Sequence, residues 1–224
     1  MGAAIRDYFR QGKSAQLKVL SSLFDDDEMP VAHLFRSYHE MPPLEQRALN
    51  EARGKVLDVG AGAGCHALAL QERGFDVTAV DISPLSCETM KERGVANVAC
   101  VNIFNQRFQE RFDTLLLLMN GTGIAGKLSR LKQLMNPGAQ ILIDSSDLRY
   151  IYEDENGVLD VDLDGAYYGE VDYQMTYRNI KGKRFDWLYA DSVVLAECCR
   201  QCGLKCEILA QGNHYDYLAR IVQM

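Results

Sequence analysis

Residues 54–64, Gly-Lys-Val-Leu-Asp-Val-Gly-Ala-Gly-Ala-Gly, join a short apolar segment to a turn dense in glycine. Apolar side chains in the first half predict a buried strand: Val56, Leu57 and Val59. Three glycines follow, which can adopt backbone conformations closed to other residues and let a ligand lie against the main chain: Gly60, Gly62 and Gly64. The apolar run 65–70 predicts a helix whose free amide groups open at the end of the strand. Together these features indicate an α/β fold with a site for a nucleotide-like ligand.

The spacing of the glycines fits two classes of cofactor. Counted from Gly62, the residues Gly62, Gly64 and Ala67 match the dinucleotide fingerprint, whose third position accepts alanine. Counted from Asp58, the pattern is acidic-x-Gly-x-Gly-x-Gly, which resembles the first motif of the class I S-adenosylmethionine-dependent methyltransferases. We favour the second register, because a carboxylate attracts the ammonium group of S-adenosylmethionine but is unfavourable beside a pyrophosphate. The resemblance implies cofactor contacts by Asp58, Gly60, Ala61, Gly62 and Gly64, and a turn without a ligand is the alternative.

Strands and helices alternate after residue 54 with short connections. We predict strands at 55–59, 76–82, 95–101, 112–119 and 140–144, helices near 64–73, 84–93 and 127–135, and a turn at Pro137-Gly138. Strands that are apolar on both faces require a parallel sheet covered on both sides, and right-handed crossovers make it doubly wound. Residues 205–210 and 215–222 predict a final antiparallel hairpin. The combination resembles the seven-stranded, mostly parallel class I methyltransferase fold and not the usual dinucleotide-binding domain.

Length and composition fit a single α/β domain. The chain has 224 residues, of which 47% are hydrophobic, enough for one core with insertions. Its predicted parts are an N-terminal helical cap, a cofactor-binding core, an inserted hairpin on the substrate side, and a C-terminal helix with antiparallel strands: 1–53, 54–147, 148–189 and 190–224. The net charge of −7 argues against broad electrostatic binding to nucleic acid. A small molecule or a protein is therefore the expected substrate.

The sequence also predicts a cytoplasmic protein without a metal. The most apolar run, 115–119, is far shorter than the ~20 residues that a membrane-spanning helix needs, and the chain begins with no credible export signal. Seven cysteines at irregular positions argue against a secreted disulfide scaffold. Four of them have a spacing typical of zinc ligands, but they surround a predicted buried helix in which thiols act as small hydrophobic groups: Cys198, Cys199, Cys202 and Cys206.

Residues after the second and third strands are expected to bind the adenosine part of the cofactor. Asp81 lies about 20 residues beyond the glycine turn, where an acidic side chain accepts both ribose hydroxyls, and Ile82 follows it. Relatives often place an acidic residue against the adenine amino group after the third strand, and here Asn102 takes that position. Its amide oxygen accepts the same hydrogen bond, while Ile103 or Phe104 lies on the adenine face. An ordinary loop asparagine is the alternative.

A second glycine-rich segment, 119–126, follows the fourth strand at the edge where open α/β sheets bind ligands. The resemblance implies that Asn120 and Gly121 approach the methionine part of the cofactor or the substrate, with a plain turn as the alternative. Methyl transfer needs an aligned nucleophile and, for a poorly acidic one, a base. The sequence leaves that base undecided among Tyr38, His39, Asp144, Asp147 and His214, and Asp147 is also a candidate substrate contact.

Two additions to the fold are expected to determine the substrate. Residues 34–45, which include Tyr38 and Met41, mix aromatic and helix-breaking residues and are able to fold over the cofactor as a lid. A Met-Pro-x-x-Glu segment of this kind also precedes the glycine motif in some bacterial methyltransferases of undetermined substrate. Residues 170–189 predict a hairpin with a turn at 179–183, whose Trp187 and Tyr189 bring aromatic surface to the site. Ordinary packing is the alternative for both additions.

These features predict an S-adenosylmethionine-dependent methyltransferase that acts on a small molecule or a protein side chain and releases S-adenosylhomocysteine. A nicotinamide-dependent oxidoreductase is the first alternative, and it conflicts with Asp58 and with the C-terminal hairpin. The second alternative is a noncatalytic methyltransferase-like domain that binds the cofactor or a partner protein.

Overall fold

A computed structural model gives the fold and describes residues 1–105, 108–156, 158 and 165–224. Its α-helices are α1 (Gly2–Gln11), α2 (Pro43–Glu51), α3 (Cys65–Gln71), α4 (Pro84–Glu92), α5 (Leu128–Lys132) and α6 (Ser192–Gln201). Its strands are β1 (Leu17–Ser21), β2 (Asp27–Glu28), β3 (Val56–Val59), β4 (Val77–Asp81), β5 (Asn97–Cys100), β6 (Phe112–Leu117), β7 (Met135–Ser146), β8 (Glu170–Tyr177), β9 (Ile180–Leu188), β10 (Leu204–Gln211) and β11 (Asp216–Gln223).

Seven strands form the main sheet in the order β10, β11, β7, β6, β3, β4, β5. Strands β3 to β7 pair in parallel, whereas β11 lies antiparallel to both β7 and β10. The predicted fold class, a doubly wound sheet closed by an antiparallel C-terminal hairpin, is confirmed. The strand order reverses at β3, which has β4 on one side and β6 on the other. Open α/β sheets bind ligands at the carboxyl end of such a switch point.

Both faces of the main sheet are covered, because its central strands are apolar at successive positions. Leu115 and Leu117 pack with Ile141 in one hydrophobic cluster, while Leu116 packs in the cluster on the opposite face. All four side chains are fully buried, and each contributes roughly 1.5–3 kcal/mol to folding relative to an exposed position. This packing fixes the register in which Leu115 lies opposite Leu57 of β3.

A second, antiparallel sheet has the order β2, β1, β8, β9. Strand β1 pairs with β8 from Leu17 opposite Tyr177 to Ser21 opposite Tyr173. The predicted N-terminal helical cap does contain helices α1 and α2, but residues 17–21 and 27–28 between them are strands that the sequence did not predict. The hydrogen-bonding partner of β1 lies in the inserted hairpin, far along the chain, so no local pattern marks it. The N-terminal segment and the insertion form one layer at the edge of the main sheet.

Two turns differ from their predicted positions. The hairpin of β8 and β9 turns at 178–179, so the predicted turn at 179–183 is wrong and β9 already begins at Ile180. A Cβ on Gly182 would lie 3.0 Å from a carbonyl oxygen of β8, which shows that this glycine permits a close approach between strands. Pro137-Gly138 forms a bulge inside β7 and not a turn before it.

Candidate active site

A cavity of about 940 Å³ lies at the carboxyl ends of β3 and β6. The glycine turn after β3 and the segment after β6 form its floor, and the second sheet forms the opposite wall. The predicted cofactor and substrate residues that line it are Asp58, Gly60, Ala61, Gly62, Asn120, Trp187 and Tyr189, and the candidate bases that line it are Asp144 and His214. The cavity thus joins the predicted cofactor turn to the predicted substrate hairpin.

The turn after β3 requires glycine at several points, and two of them illustrate why. Gly62 has a φ of 59°, in the left-handed region, and its N–H donates a hydrogen bond to Asp81 Oδ2 over 2.9 Å. Gly64 has a φ of 83° at the start of α3, where a Cβ would lie 3.0 Å from Val95 Cγ2. A side chain at either position would strain the turn, and at Gly64 it would also disturb the packing of α3.

Asp58 is a buried carboxylate with one unused oxygen. Its side chain is 2% exposed, the backbone N–H of Ala67 donates to it, and its Oδ2 has no hydrogen-bond partner. Burial raises the pKa of Asp58, and the nearby positive charge of His66 opposes that rise. A buried acceptor without a donor is costly, so this oxygen at the cavity wall calls for a polar or cationic partner from a ligand.

Asp81 lies at the end of β4 and organises the neighbouring backbone. Its Oδ1 accepts a hydrogen bond from the Ser83 N–H over 2.8 Å, and its Oδ2 accepts the one from Gly62. Burial raises the pKa of this carboxyl. The next side chain, Ile82, is 73% exposed at the same edge of the sheet. A highly exposed apolar side chain next to a carboxylate is suited to a ligand that has a flat apolar part and hydroxyl groups.

The three residues predicted to contact the adenine after β5 make contacts within the protein. The Asn102 side-chain oxygen accepts a hydrogen bond from the Phe104 N–H over 2.9 Å, as an ordinary turn asparagine does. Ile103 is 5% exposed and packs in the core, with Phe104 packed partly against it. None of these three lines the cavity.

Asp144 on β7 holds the segment after β6 in place. Met119 and Asn120 have φ values of 66° and 60°, which are uncommon for residues other than glycine. Asp144 accepts hydrogen bonds from the N–H groups of Met119 and Gly121, over 3.1 and 3.2 Å. Burial raises the pKa of Asp144 to about 6, although these bonds oppose the rise. Asp144 also lines the cavity.

A buried cluster of Arg36, Glu45 and His66 connects the predicted lid to the glycine turn. Arg36 donates to both oxygens of Glu45, and His66 Nε2 lies 2.6 Å from Glu45 Oε2. Burial opposes ionisation, but the hydrogen bonds from His66 and Arg36 lower the pKa of Glu45 to about 2. Burial also opposes protonation of His66, yet Cys65 and Glu45 raise its pKa well above the usual value. The cluster is an ionised network in the cavity wall.

Sequence analysis identified Glu45 only within the Met-Pro-x-x-Glu segment and missed both of its partners. A histidine inside the otherwise apolar run 65–70 was the available signal, because a polar side chain there needs a buried partner. The identity of that partner cannot be deduced from the neighbouring sequence, since Glu45 lies on another helix.

The second sheet presents an aromatic wall to the cavity. Its members come from β8, β9 and the residue after β9: Tyr173, Phe185, Trp187 and Tyr189. The Phe185 and Trp187 rings meet edge to face with centroids 6.0 Å apart, and the hydroxyls of Tyr173 and Tyr189 are 3.1 Å apart. A Cβ on Gly123 would overlap the Trp187 indole, so the segment after β6 packs directly against this wall.

Comparison with known proteins agrees with this geometry. The methyltransferase domain family matches residues 56–138. An S-adenosylmethionine-dependent methyltransferase from Bacteroides fragilis, whose crystal structure contains S-adenosylhomocysteine, is 52% identical over 99% of this chain and 93% of its own, with a TM-score of 0.92. The chain belongs to the class I S-adenosylmethionine-dependent methyltransferases.

Two more distant structures share the fold of this methyltransferase. A sugar N-methyltransferase from a Streptoalloteichus species is 18% identical, over 91% of this chain and 97% of its own, with a TM-score of 0.60. An amino pentose methyltransferase from Micromonospora echinaspora is 12% identical, over 86% and 94%, with a TM-score of 0.56. At these identities the likeness concerns the fold alone.

The family decides between the two cofactors that the glycine spacing allowed. S-adenosylmethionine is the cofactor, and the nicotinamide alternative is set aside. The site fits this cofactor: Asp58 offers an unpartnered buried oxygen for an ammonium group, and exposed Ile82 beside Asp81 offers apolar surface next to a hydrogen-bond acceptor.

Several predicted residues lie outside the cavity lining of the methyltransferase. Tyr38 donates a hydrogen bond to Asn50 at the surface, and Met41 is buried in a hydrophobic cluster. Asp147 caps a short helical turn by accepting from the Arg149 N–H, and it also accepts from a tyrosine hydroxyl. His39 and Gly121 do not line the cavity either, whereas His214 does.

Three of the four clustered cysteines, Cys199, Cys202 and Cys206, pack in or against the core, whereas Cys198 is exposed. Cys199 is buried, Cys206 is half-buried beside it, and all seven cysteines are free. Among the residues that the structure describes, no group of three or more His, Cys, Asp or Glu side chains is arranged to hold a metal ion. None of the helices in the described ranges has the length and apolar character needed to cross a membrane.

Proposed function

We propose that this methyltransferase transfers the methyl group to a small molecule that enters the 940 Å³ cavity. The observation that carries the proposal is the continuity of this cavity, which reaches from Asp58 and the glycine turn to the aromatic wall of the second sheet. Its volume is typical of small-molecule sites, which span roughly 300–1,000 Å³. The two distant structures that share this fold are named as sugar and amino pentose methyltransferases, and acceptors of that kind have a size that fits this volume. A protein side chain is the second candidate.

We assign the cofactor contacts as follows. Asp58 binds the ammonium group through its free Oδ2, and the backbone of 60–64 approaches the methionine part, together with Asn120 and Gly121. Asp81 accepts the ribose hydroxyls with the lone pairs that its two backbone hydrogen bonds leave free. Ile82 covers one face of the adenine. We leave Asn102, Ile103 and Phe104 unassigned, because the Asn102 oxygen is bound within its own turn and Ile103 is packed in the core.

Bound S-adenosylmethionine supplies an electrophilic methyl group on a sulfonium. The protein contributes alignment, because the aromatic wall and the segment after β6 confine an acceptor between them. It also contributes exclusion of water, since residues 34–45 and the second sheet cover the edge of the main sheet. The carboxylate of Asp144, whose pKa is about 6, is suited to take a proton from the acceptor.

We further propose a single domain that works in the cytoplasm. The free thiols favour a reducing compartment. The net charge of −7 disfavours nucleic acid as substrate. Residues 34–45 lie over the glycine turn, where Leu34 approaches Gly62, and this contact supports a covering role for the segment.

Calorimetric titration with S-adenosylmethionine, S-adenosylhomocysteine and reduced nicotinamide dinucleotides tests the cofactor assignment. We expect binding of the first two and none of the third.

Incubation with a methyl-labelled cofactor and fractionated bacterial metabolites, followed by mass spectrometry, tests transfer to a small molecule. Binding without transfer to any fraction or to added protein would favour the noncatalytic alternative.

A further inference from the structure

The lining of the cavity is strongly acidic. Its carboxylates are Asp25, Asp26, Asp27, Glu28, Glu45, Asp58, Asp144 and Asp216, and among its described residues there is no lysine or arginine. Glu45 is neutralised by Arg36 and His66. The other seven carboxylates belong to lining residues, and the basic groups of the described lining are three histidines and the α-amino group of Met1. The cofactor brings only one net positive charge, so negative charge remains for the acceptor to balance.

The acidic groups lie at both ends of the aromatic wall. At the mouth, Asp27 is on β2, in the same sheet as Tyr173, and its charge adds to the effect of burial in raising the pKa of that tyrosine. Asp144 lies at the floor. Burial raises the pKa of Tyr189, and the nearby charge of Asp144 adds to that rise. A molecule on the aromatic wall therefore has carboxylates near both of its ends.

The aromatic wall itself favours a cation. Tyr and Trp rings attract an ammonium group placed over their faces, and the attraction grows when water is excluded. Tyr173, Trp187 and Tyr189 are partly buried in the wall, which leaves ring surface toward the cavity. An anionic acceptor such as a carboxylate or phosphate would be repelled by the lining. Both the rings and the charges select a positively charged molecule.

We propose that the methyl acceptor is a small-molecule amine that enters as an ammonium ion, with its hydrocarbon or aromatic body against the wall formed by Tyr173, Phe185, Trp187 and Tyr189. This inference rests on the proposed function. The ammonium group gives up a proton to the Asp144 carboxylate, and the freed nitrogen lone pair forms the new N–CH₃ bond. The bonding pair of the broken C–S bond stays on sulfur, which leaves neutral S-adenosylhomocysteine sulfur and a methylated ammonium ion. The proton on Asp144 then passes to water.

Three ligands of one shape and different charge test this inference: 2-phenylethylamine, 2-phenylethanol and 3-phenylpropionate. Each is titrated by calorimetry into the full chain loaded with S-adenosylhomocysteine. We expect the amine to bind at least about tenfold more tightly than the alcohol, and the carboxylate to bind more weakly than either. Equal binding of amine and alcohol, stronger binding of the carboxylate, or no binding of any of the three overturns the inference.

A pair of variants tests whether a carboxylate at the cavity mouth contributes to amine binding. Asp27→Asn removes a carboxylate at the cavity mouth and should weaken amine binding severalfold while leaving the alcohol unchanged. Asp186→Asn, on β9 but exposed and outside the lining, is the matched control and should change neither. Equal effects of the two variants would contradict the inference. Failure to bind S-adenosylhomocysteine would instead contradict the proposed function, so the two failures are distinguishable.

Discussion

Glu45 and His66 form a 2.6 Å hydrogen bond between Oε2 and Nε2 that joins α2 to the helix after the glycine turn. Each side chain is about 5% exposed. Arg36 binds the same carboxylate, so the segment before β3 is connected by an ionised pair to the helix that opens the cofactor turn. His66 also acts on Asp58 in the cavity wall, since burial raises the pKa of Asp58 and the positive charge of His66 opposes that rise.

Glu45→Gln should strongly destabilise the fold. The substitution leaves Arg36 and His66 buried with one neutral acceptor, and breaking a buried ion pair in this way typically costs about 3–5 kcal/mol. Urea unfolding measures the change. Glu197→Gln, which breaks the fully exposed pair with Arg200, is the matched control and should leave the midpoint unchanged. A Glu45→Gln midpoint equal to that of the control would contradict the structural role of the cluster.

The same pair predicts how stability depends on pH. The pKa of Glu45 is lowered from 4.5 to about 2, so its contribution is full above pH 4.5 and is lost as the pH falls toward 2. The pKa of His66 is raised from 6.5, so its contribution is full below pH 6.5 and is lost as the pH rises through the folded-state value. The pair therefore stabilises the protein most between pH 4.5 and 6.5.

Urea unfolding of the wild type and His66→Gln from about pH 5 to about pH 9 measures this dependence. The difference in unfolding free energy between them should shrink as the pH rises. His39→Gln is the control, because His39 is exposed, and its difference from the wild type should stay constant. A His66→Gln difference that grows with pH would show that the histidine is neutral in the folded protein.

The fold and the cofactor turn were predictable because their signals are local. Asp58 and the glycines lie within one strand, turn and helix, and the apolar pattern of β6 indicates burial on both faces without any knowledge of its partners. The C-terminal hairpin was predictable for the same reason, since its two strands are separated by a short turn.

The rest of the site depends on contacts between distant parts of the chain. Strand β1 is held by β8, and the aromatic wall meets the cofactor edge only because Trp187 packs on Gly123. Asp144 was one candidate base among five, and only the fold brings its carboxylate to the N–H groups of Met119 and Gly121. Such pairings are set by tertiary packing, which no periodicity in the sequence records.

Asp81→Ala should weaken the binding of S-adenosylhomocysteine by about 1–3 kcal/mol, which is the cost of losing hydrogen bonds to two hydroxyls. Calorimetry measures the affinity, and thermal unfolding of the free protein separates this loss from damage to the turn, since Asp81 also accepts from Gly62 and Ser83. Asp76→Ala, just before the other end of β4 and exposed, is the control. Unchanged affinity in Asp81→Ala would remove this residue from the site.

Gly123→Ala should displace the aromatic wall without affecting the cofactor. The added methyl group overlaps the Trp187 indole, so the ring must move outward into the cavity or solvent. Trp187 is the single tryptophan of the chain, so its fluorescence reports this movement directly. We expect a red-shifted emission maximum, faster quenching by acrylamide and unchanged affinity for S-adenosylhomocysteine.

Gly126→Ala is a matched control for this substitution, because a Cβ there would meet no atom within 4 Å. It should leave both emission and quenching unchanged. When a methyl acceptor has been identified, its KM should rise severalfold in Gly123→Ala and stay the same in Gly126→Ala. The reason is that the aromatic wall positions the acceptor and not the methyl donor. Identical fluorescence in the two variants would mean that Trp187 does not pack on this segment, and the aromatic wall would then have no fixed relation to the cofactor turn.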